Sequence, residues 1–467
     1  MPSVKEQGHA AHTQDMEITG LGGAMPRPIK LTMLGAGSGF TPRLISDVLK
    51  IPGADRGTIA LVDVDEQRLT TMHGLIRKLI EQSGKSGWSV TASKDRIEVL
   101  GGSDYLVNCI EVSGVDCVTF DNDIPLKYGI DQCIGDTIGP GGLFKALRTV
   151  PVFLEMLKDA ERLCPEALVL NYTNPMNMLC LAAGRSSSMG VVGLCHSVQG
   201  TSHKLADNAG VKYEEMTWEC AGINHLAWFT KLLHQGADLY PTLIEKVKNH
   251  SGDVYESDPV RYDMMLHFGA FITESSGHLS EYLPYYRKRP DIVREYCRDG
   301  YRGGSRFYAT EWPGWRRKAD ADREAMLRGE KPVGWKRSWE YASWIIEARE
   351  KNVPFSIHGN VMNGQRGAEL ITNLPADGCV EVLCTIDGKG VNPIPFGALP
   401  PQMAAVCDWN MRMFDLGAKA CIERSKEAAI YSLLLDPLTA AICTPAQIKA
   451  MTLEMFEAEK KFLPGYR

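Results

Sequence analysis

The chain has 467 residues, of which 44% are hydrophobic and 23% charged, a globular composition that excludes a mainly disordered protein. Lys and Arg number 51 against 57 Asp and Glu, and the net charge of −6 gives no overall attraction for nucleic acid. No run reaches the roughly 18 apolar residues of a membrane span, and the best stretch, Ala428 to Cys443, is broken by Asp436-Pro437.

Residues 1–27 are polar, mixed in charge and without the apolar core of a secretory signal. They read as an N-terminal extension, weakly ordered unless a partner subunit holds it. The 13 Cys are odd in number and lack a framework spacing, so they read as reduced thiols in the cytoplasm. At about 150 residues per domain, the length predicts two or three domains, or one large α/β domain with an extra lobe.

From Ile29 the pattern changes. Lys30 to Leu34 predicts a strand, then comes GAGSGF (Gly35 to Phe40), then a helix. Thr41 is its expected cap, Pro42 suits the first helical position, and Leu44, Ile45, Val48 and Leu49 form an apolar stripe. A second strand, Thr58 to Val62, ends at Asp63. Asp65 opens a helix with Leu69, Met72, Leu75, Ile76 and Leu79 on one side, and Tyr105 to Ile110 is the next strand. This β-α-β-α-β order predicts a doubly wound parallel sheet of the Rossmann type. Gly141 to Leu163 reads as a helix kinked at Pro151; Ala167 to Tyr172 and Gly190 to Leu194 read as strands. Met216 to Leu233 reads as a hairpin. Residues 255–350 are mostly helical patterns, interrupted by the Arg/Trp/Gly-rich stretch Arg302 to Arg317. Val380 to Ile386 is a strand candidate, and Met403 to Leu463 reads as helical. The expected organisation is an extension (1–27), a dinucleotide-binding domain (28–207) and a mixed α+β lobe for substrate and oligomerisation (208–467).

The first chemical signal is the glycine loop. Gly35 permits a tight turn, Gly37 lets a pyrophosphate approach the backbone, and Ser38 lies on the same loop; the following helix offers N–H donors and the positive end of its dipole. Asp63, ending the second strand, is placed to accept from a ribose, and an acid there favours NAD over NADP. The third fingerprint position is Phe40, not Gly or Ala; the alternative reading is a turn needed only for packing.

Further signals lie at strand ends. Asn174 sits in Asn171-Tyr-Thr-Asn-Pro175, and Cys195-His196-Ser197 follows another strand. Open α/β sheets bind ligands there. Asn224-His225 lies on the hairpin loop. A Cys and one or two His from separate segments, with open positions left, suit a divalent metal; a buried inert Cys195 is the alternative. Gly139-Pro-Gly-Gly142 is either an anion-tolerant helix start or a turn. Tyr282, Tyr285 and Tyr286 read first as packing, and Asp136 as either a site carboxylate or a solvated loop acid.

In order along the chain stand GAGSGF, DxD at Asp63 to Asp65, GPGG, NYTNPMNM, GLCHSVQGT, AGINHLAW, TESSGHLSEYLPYY and NLPADGCVEV. Together they resemble glycoside hydrolase family 4 over roughly residues 30–465, and CHSVQGT with TESSxHxxEY resembles its α-galactosidase (melibiase) branch. The resemblance implies a bound NAD⁺ and a divalent cation, usually Mn²⁺. It implies metal ligands at Cys195 and His225, substrate-hydroxyl binding at Asn174, the catalytic base at Tyr282 and the acid at His196. A homo-oligomer, dimer or tetramer, is also expected. In RSWEYAS, Trp339 stands where Arg is expected, which leaves galactoside, glucoside and galacturonide open as substrates; Arg148, Arg302 and Arg306 are either uronate partners or surface.

This family departs from the usual two-carboxylate route of sugar hydrolysis. A sugar C2–H is too weak an acid for a side chain, but removal of hydride from C3 leaves a ketone that acidifies it. A metal polarises that carbonyl, and a tyrosinate can take the proton once a nearby cation lowers its pKa of about 10. Cys195 must then be reduced and ionised. Competing readings are a lactate- or malate-type 2-hydroxy-acid dehydrogenase, and a non-catalytic NAD-sensing scaffold, which would need no polar cluster at the strand ends.

Overall fold

The apolar run Ile29–Leu34 forms strand β1, with Leu31, Met33 and Leu34 wholly buried, as expected of a parallel strand covered on both faces. In a computed structural model, residues 20–249, 254–334, 336–364 and 367–467 are described. Most of the expected extension, residues 1–19, lies outside them. Residues 20–27 are tied to this chain itself. The Leu21 amide donates to Glu347 at 2.8 Å, Lys351 donates to the Leu21 carbonyl at 2.9 Å, and Arg27 pairs with Asp104 and Glu350.

Among the described residues, thirteen strands join one sheet. After β1 come β2 (Arg56–Val62), β3 (Gly87–Ser93), β4 (Tyr105–Asn108), β5 (Leu168–Asn171) and β6 (Gly190–Leu194). These six are parallel, in the spatial order β3-β2-β1-β4-β5-β6. That is the dinucleotide-binding order, whose crevice opens at the carboxyl ends of β1 and β4. The sheet then continues antiparallel through β11 (Phe355–Met362), β12 (Cys379–Asp387), β7 (Met216–Ile223), β8 (Leu226–His234) and β10 (Phe271–Ile272). Two short strands, β9 (Ala237–Asp238) and β13 (Gly390–Pro393), pair with β8 and β12. The expected α/β class, a doubly wound parallel sheet with a mixed α+β remainder, is the architecture found. The boundary expected near residue 207 falls within the helix Ser197–Ala209, and the sheet runs on past it.

Several details differ from the sequence reading, each for a physical reason. Thr41 does not cap the first helix: it is the first helical residue, preceded by Phe40 in helical conformation, with no side-chain cap. β3 carries one large buried side chain, Trp88, and joins by backbone pairing to β2. β11 hides behind His358, Gly359 and Asn360, polar or small residues that break an apolar run yet are buried. The stretch Arg302 to Arg317 does not interrupt helical structure: most of it lies in the helix Phe307–Arg328, which continues through Pro313. The helix expected from Gly141 spans Gly139–Leu163, with Pro151 inside it.

The turn after β1 is fixed by sterics. Gly35 has φ +78°, and a Cβ there would lie 2.6 Å from the Cys109 carbonyl oxygen. Gly35→Ala is therefore expected to lower unfolding stability by at least about 2 kcal/mol, the combined cost of left-handed backbone and overlap. Urea denaturation of the two proteins checks this.

Candidate active site

The ends of β1 and β2 meet at the glycine loop. The Gly37 amide donates to Asp63 Oδ2 at 2.7 Å, and the Asp65 amide donates to Asp63 Oδ1 at 2.9 Å. Asp63 thus braces the loop with both oxygens and keeps lone pairs to spare for a ribose. A Cβ at Gly37 would come 2.9 Å from Asp63 and 3.1 Å from Arg68, so the loop is a cradle that only glycine leaves open. With the start of the helix Thr41–Leu49 beside it, the cradle fits a dinucleotide. The Gly139–Gly142 start is instead filled by protein: Gln132 accepts from the Gly141 amide at 3.1 Å, and a Cβ at Gly141 would lie 2.3 Å from the Gly135 carbonyl oxygen.

Cys195 follows β6 directly, ahead of the helix Ser197–Ala209. Its Sγ lies 3.2 Å from Ser197 Oγ. Burial pushes the thiol up to about 11 and Glu274 adds to this, against hydrogen bonds from Ser197 and Asn224. His225 occupies the turn between β7 and β8 with φ +62°, a conformation that a non-glycine residue holds only under constraint. Its Nε2 is 3.4 Å from Glu274 Oε2 and its Nδ1 is 3.2 Å from Tyr282 Oη.

Tyr282 is wholly buried and lies edge-on to the rings of His225 and His278. Its phenol is held far above the usual range by burial, then by Glu274, Asp136 and Glu281. Glu281 is itself anchored: its carboxylate accepts from the amides of Cys133 at 2.5 Å, Ile134 at 2.8 Å and Gly135 at 3.2 Å, and from His278 Nδ1 at 2.6 Å. His278 is thereby fixed in orientation, with Nε2 buried and 3.8 Å from Asp136 Oδ1. Glu274 also has a left-handed backbone, φ +75°. Burial would raise its carboxyl, but His225, His278 and the Ser275 amide hold it down at about 2.

The expected residues come together in part. Cys195, His225 and Tyr282 share the field of Glu274, and Glu381 interacts with Cys195 and His225. Asn174 lies half-buried at the end of β5. The His196 side chain is 57% exposed and faces Glu340 at 3.8 Å, turned to solvent rather than into the buried ring cluster. Tyr285 is partly exposed, and Tyr286 donates to Asp263 at 2.7 Å, so these two do pack. Asp136 is not a solvated loop acid. It is nearly buried, accepts from Thr137 at 2.6 Å, and lies 3.5 Å from Lys145, which also pairs with Glu111 at 3.0 Å.

Glu274, His278, Glu281, Glu381 and Lys145 were not singled out from the sequence. The first three lie in TESSGHLSEYLPYY, with His278 and Glu281 one helical turn apart. Glu381 is carried by β12, and only the sheet brings it to this centre.

A thiol and an imidazole from two strand ends are a borderline-soft donor pair suited to a divalent transition metal. Among the described residues, no three His, Cys, Asp or Glu side chains form a closed cage. Cys195 and His225 would leave coordination positions open for substrate oxygens. The buried surplus of carboxylates over cations also fits a dication, which would lower the thiol and the phenol together.

A sheet of dinucleotide-binding order, with a thiol–imidazole–phenol cluster at its strand ends, defines a class of cofactor-dependent enzyme. The chain belongs to glycoside hydrolase family 4. The family 4 glycosyl hydrolase model matches residues 30–211 and its C-terminal domain model matches residues 220–439. Similarity is 36% identity over 94% of this chain to α-galactosidases of Rhizobium meliloti (strain 1021) and Bacillus subtilis (strain 168), covering 89% and 100% of those proteins. An α-galacturonidase of Thermoanaerobacter italicus is 28% identical over 94% of this chain and 98% of its own. Among solved structures, a Bacillus subtilis protein described as a putative glucosidase superposes with a TM-score of 0.81 at 26% identity, over 92% of this chain and 99% of that one. A 6-phospho-α-glucosidase from gut microorganisms, solved with NAD and Mn²⁺, shares the fold with a TM-score of 0.76 at 21% identity, over 94% and 100% of the two chains. Among the described residues no helix is long and apolar enough to cross a membrane.

The Glu274 carboxyl gives a pH prediction. Held at about 2 against an ordinary value of 4.5, it stabilises the fold fully above 4.5 and loses that contribution as pH falls through about 2. In metal-free protein, Glu274→Gln is expected to be less stable than wild type at pH 6, with the gap closing between pH 4.5 and 2. Urea unfolding across that range measures it.

Proposed function

We propose that this protein is an NAD⁺- and Mn²⁺-dependent α-galactosidase, acting in the cytoplasm as a homo-oligomer. Residues 28–207 would bind the cofactor, and residues 208–467 the substrate and the oligomer partner. The observation that carries this reading is the wholly buried Tyr282 phenol, 3.2 Å from His225 and ringed by carboxylates. The 36% identity to two α-galactosidases supports the sugar. A dehydrogenase reading gains nothing from membership of a hydrolase family. Of the three cations open to a uronate, the Arg148 guanidinium is buried between Asp121 and Glu459 and Arg306 pairs with Asp123, which leaves Arg302 for that second reading.

When bound, NAD⁺ supplies a reversible hydride acceptor for C3, and Mn²⁺ a Lewis acid for the neighbouring oxygens. Gly35, Gly37 and Ser38 form the pyrophosphate cradle, and Asp63 braces it from the ribose side. Cys195 and His225 would hold the cation, and Asn174 would accept from or donate to a substrate hydroxyl. Tyr282 takes the C2 proton at its Oη and later returns it, with His225 Nδ1 and the edge of His278 fixing its ring. His196, on the exposed side beside Glu340, donates to the departing C1 oxygen. Glu281, locked by three amides, keeps His278 and Tyr282 from drifting.

Activity on a nitrophenyl α-galactoside is expected to require NAD⁺, Mn²⁺ and a reductant, and turnover in D₂O is expected to place deuterium at C2 of the product. Full-rate cleavage by chelated, NAD-free enzyme, or product without the label, overturns the reading. Tyr282→Phe is expected to lower kcat at least 100-fold with KM changed little, as steady-state kinetics with C2-deuterated substrate will test.

A further inference from the structure

The helix Phe307–Arg328 takes no part in the chemistry above, yet it runs from one end of the proposed cofactor crevice to the other. Near its start, Tyr308 and Trp312 stack at 4.9 Å. Trp312 sits against Gly114, beyond the end of β4, where a Cβ would lie 2.3 Å from the indole. Lys145, which reaches Glu111 and Asp136, lies 5.8 Å from the Trp312 ring. This end therefore adjoins the Tyr282 centre. Toward the other end, Asp320 pairs with Arg68 at 2.9 Å and also with Arg323. Arg68 lies beside Gly37, and Arg323 Nη1 is 4.0 Å from where a Cβ on Gly39 would stand. Gln67 donates to Glu324 at 3.3 Å and Lys78 to the Met326 carbonyl at 3.1 Å, fastening the helix to the one that follows Asp63. At 1.5 Å per residue, Trp312 and Arg323 are roughly 16 Å apart along the axis.

We propose that this helix is a wall of the dinucleotide site, with Arg323 and Arg68 facing the pyrophosphate over the glycine loop and Trp312 packing at the nicotinamide end. The inference rests on the NAD⁺ reading. Asp320 pairs with both guanidinium groups and Asp65 lies 3.6 Å from Arg68, so the two arginines are held in place beside the loop that cradles an anion, with N–H donors left over for it. The Arg323 side chain is only 10% exposed, so water screens it weakly. The arrangement suits the chemistry: a cofactor that regains its oxidised form in every turnover has no need to leave. A wall that must unseat an ion pair and an indole before release favours retention over exchange.

The test is binding of NAD⁺, ADP and adenosine to the Mn²⁺-loaded full chain by calorimetry, with NADH release followed by stopped-flow fluorescence. Arg323→Gln is expected to weaken NAD⁺ and ADP alike by about 10- to 100-fold, the effect of one charge-assisted contact, and to leave adenosine unchanged; Arg323→Lys should restore most of the loss. Trp312→Ala is expected to weaken NAD⁺ at least tenfold, spare ADP, and speed NADH release. Unchanged ADP affinity in Arg323→Gln, or equal losses for ADP and adenosine, overturns the assignment of Arg323. Unchanged NADH release in Trp312→Ala overturns that of Trp312. Wild-type protein that binds neither NAD⁺ nor ADP instead overturns the cofactor reading beneath it.

Discussion

Tyr282 has no accessible surface, and the charged groups around it are carboxylates. After burial, Glu274, Asp136, Glu281 and the Cys195 thiol each resist loss of its proton. Two unit charges 4 Å apart interact by about 4 kcal/mol at an effective dielectric of 20, so such a phenol stays protonated until positive charge arrives. The same surroundings raise Cys195 and Glu381. All three acids are thus shifted upward first by burial and then by neighbouring negative charge, and a cation seated among them would favour their ionised forms. The proposed base and the proposed ligand would become active in the same event.

That concentration of charge depends on a seam in the sheet. β6 ends the parallel half beside Cys195, and β7 ends at the turn that carries His225. Between them lie β11 and β12, which come from far along the chain. The seam is narrow: Gly359 and Asn360 pair with Leu194 and Gly193. A Cβ on Gly193 would fall 2.5 Å from Met176 Sδ and 2.9 Å from Asn360 Cβ. Close approach there carries Glu381 inward, where the Asn360 amide donates to it at 3.5 Å. One sheet, rather than two docked lobes, fixes the separation of the thiol and the imidazole.

Rigid support surrounds the centre. His225 and Glu274 both hold left-handed backbone and face one another at 3.4 Å. Strain of this kind persists only where neighbours over-determine it, and here the β7–β8 hairpin and the anchored Glu281 do so. The helix Phe307–Arg328 ties this centre to the glycine loop, so the two halves of the proposed chemistry lie against one continuous element.

The sequence by itself determined five of the six parallel strands. Local apolar periodicity, the glycine loop and Asp63 are short-range signals, and they place β1, β2, β4, β5 and β6 within a residue or two. It also held the motifs that carry Cys195, His225 and Tyr282. It left β3 and β11 unassigned: Trp88, Val90 and Ala92 alternate with Ser89, Thr91 and Ser93, and Phe355, Ile357 and Val361 with Ser356, His358 and Asn360, but neither strand is a continuous apolar run and both faces of β11 are buried all the same. Nor could it show that Asp136 is enclosed, that His196 faces Glu340, or that Glu381 joins a centre built from residues on distant segments of the chain. Those are matters of desolvation and of which strands are neighbours. Both depend on long-range pairing, which only the assembled sheet decides.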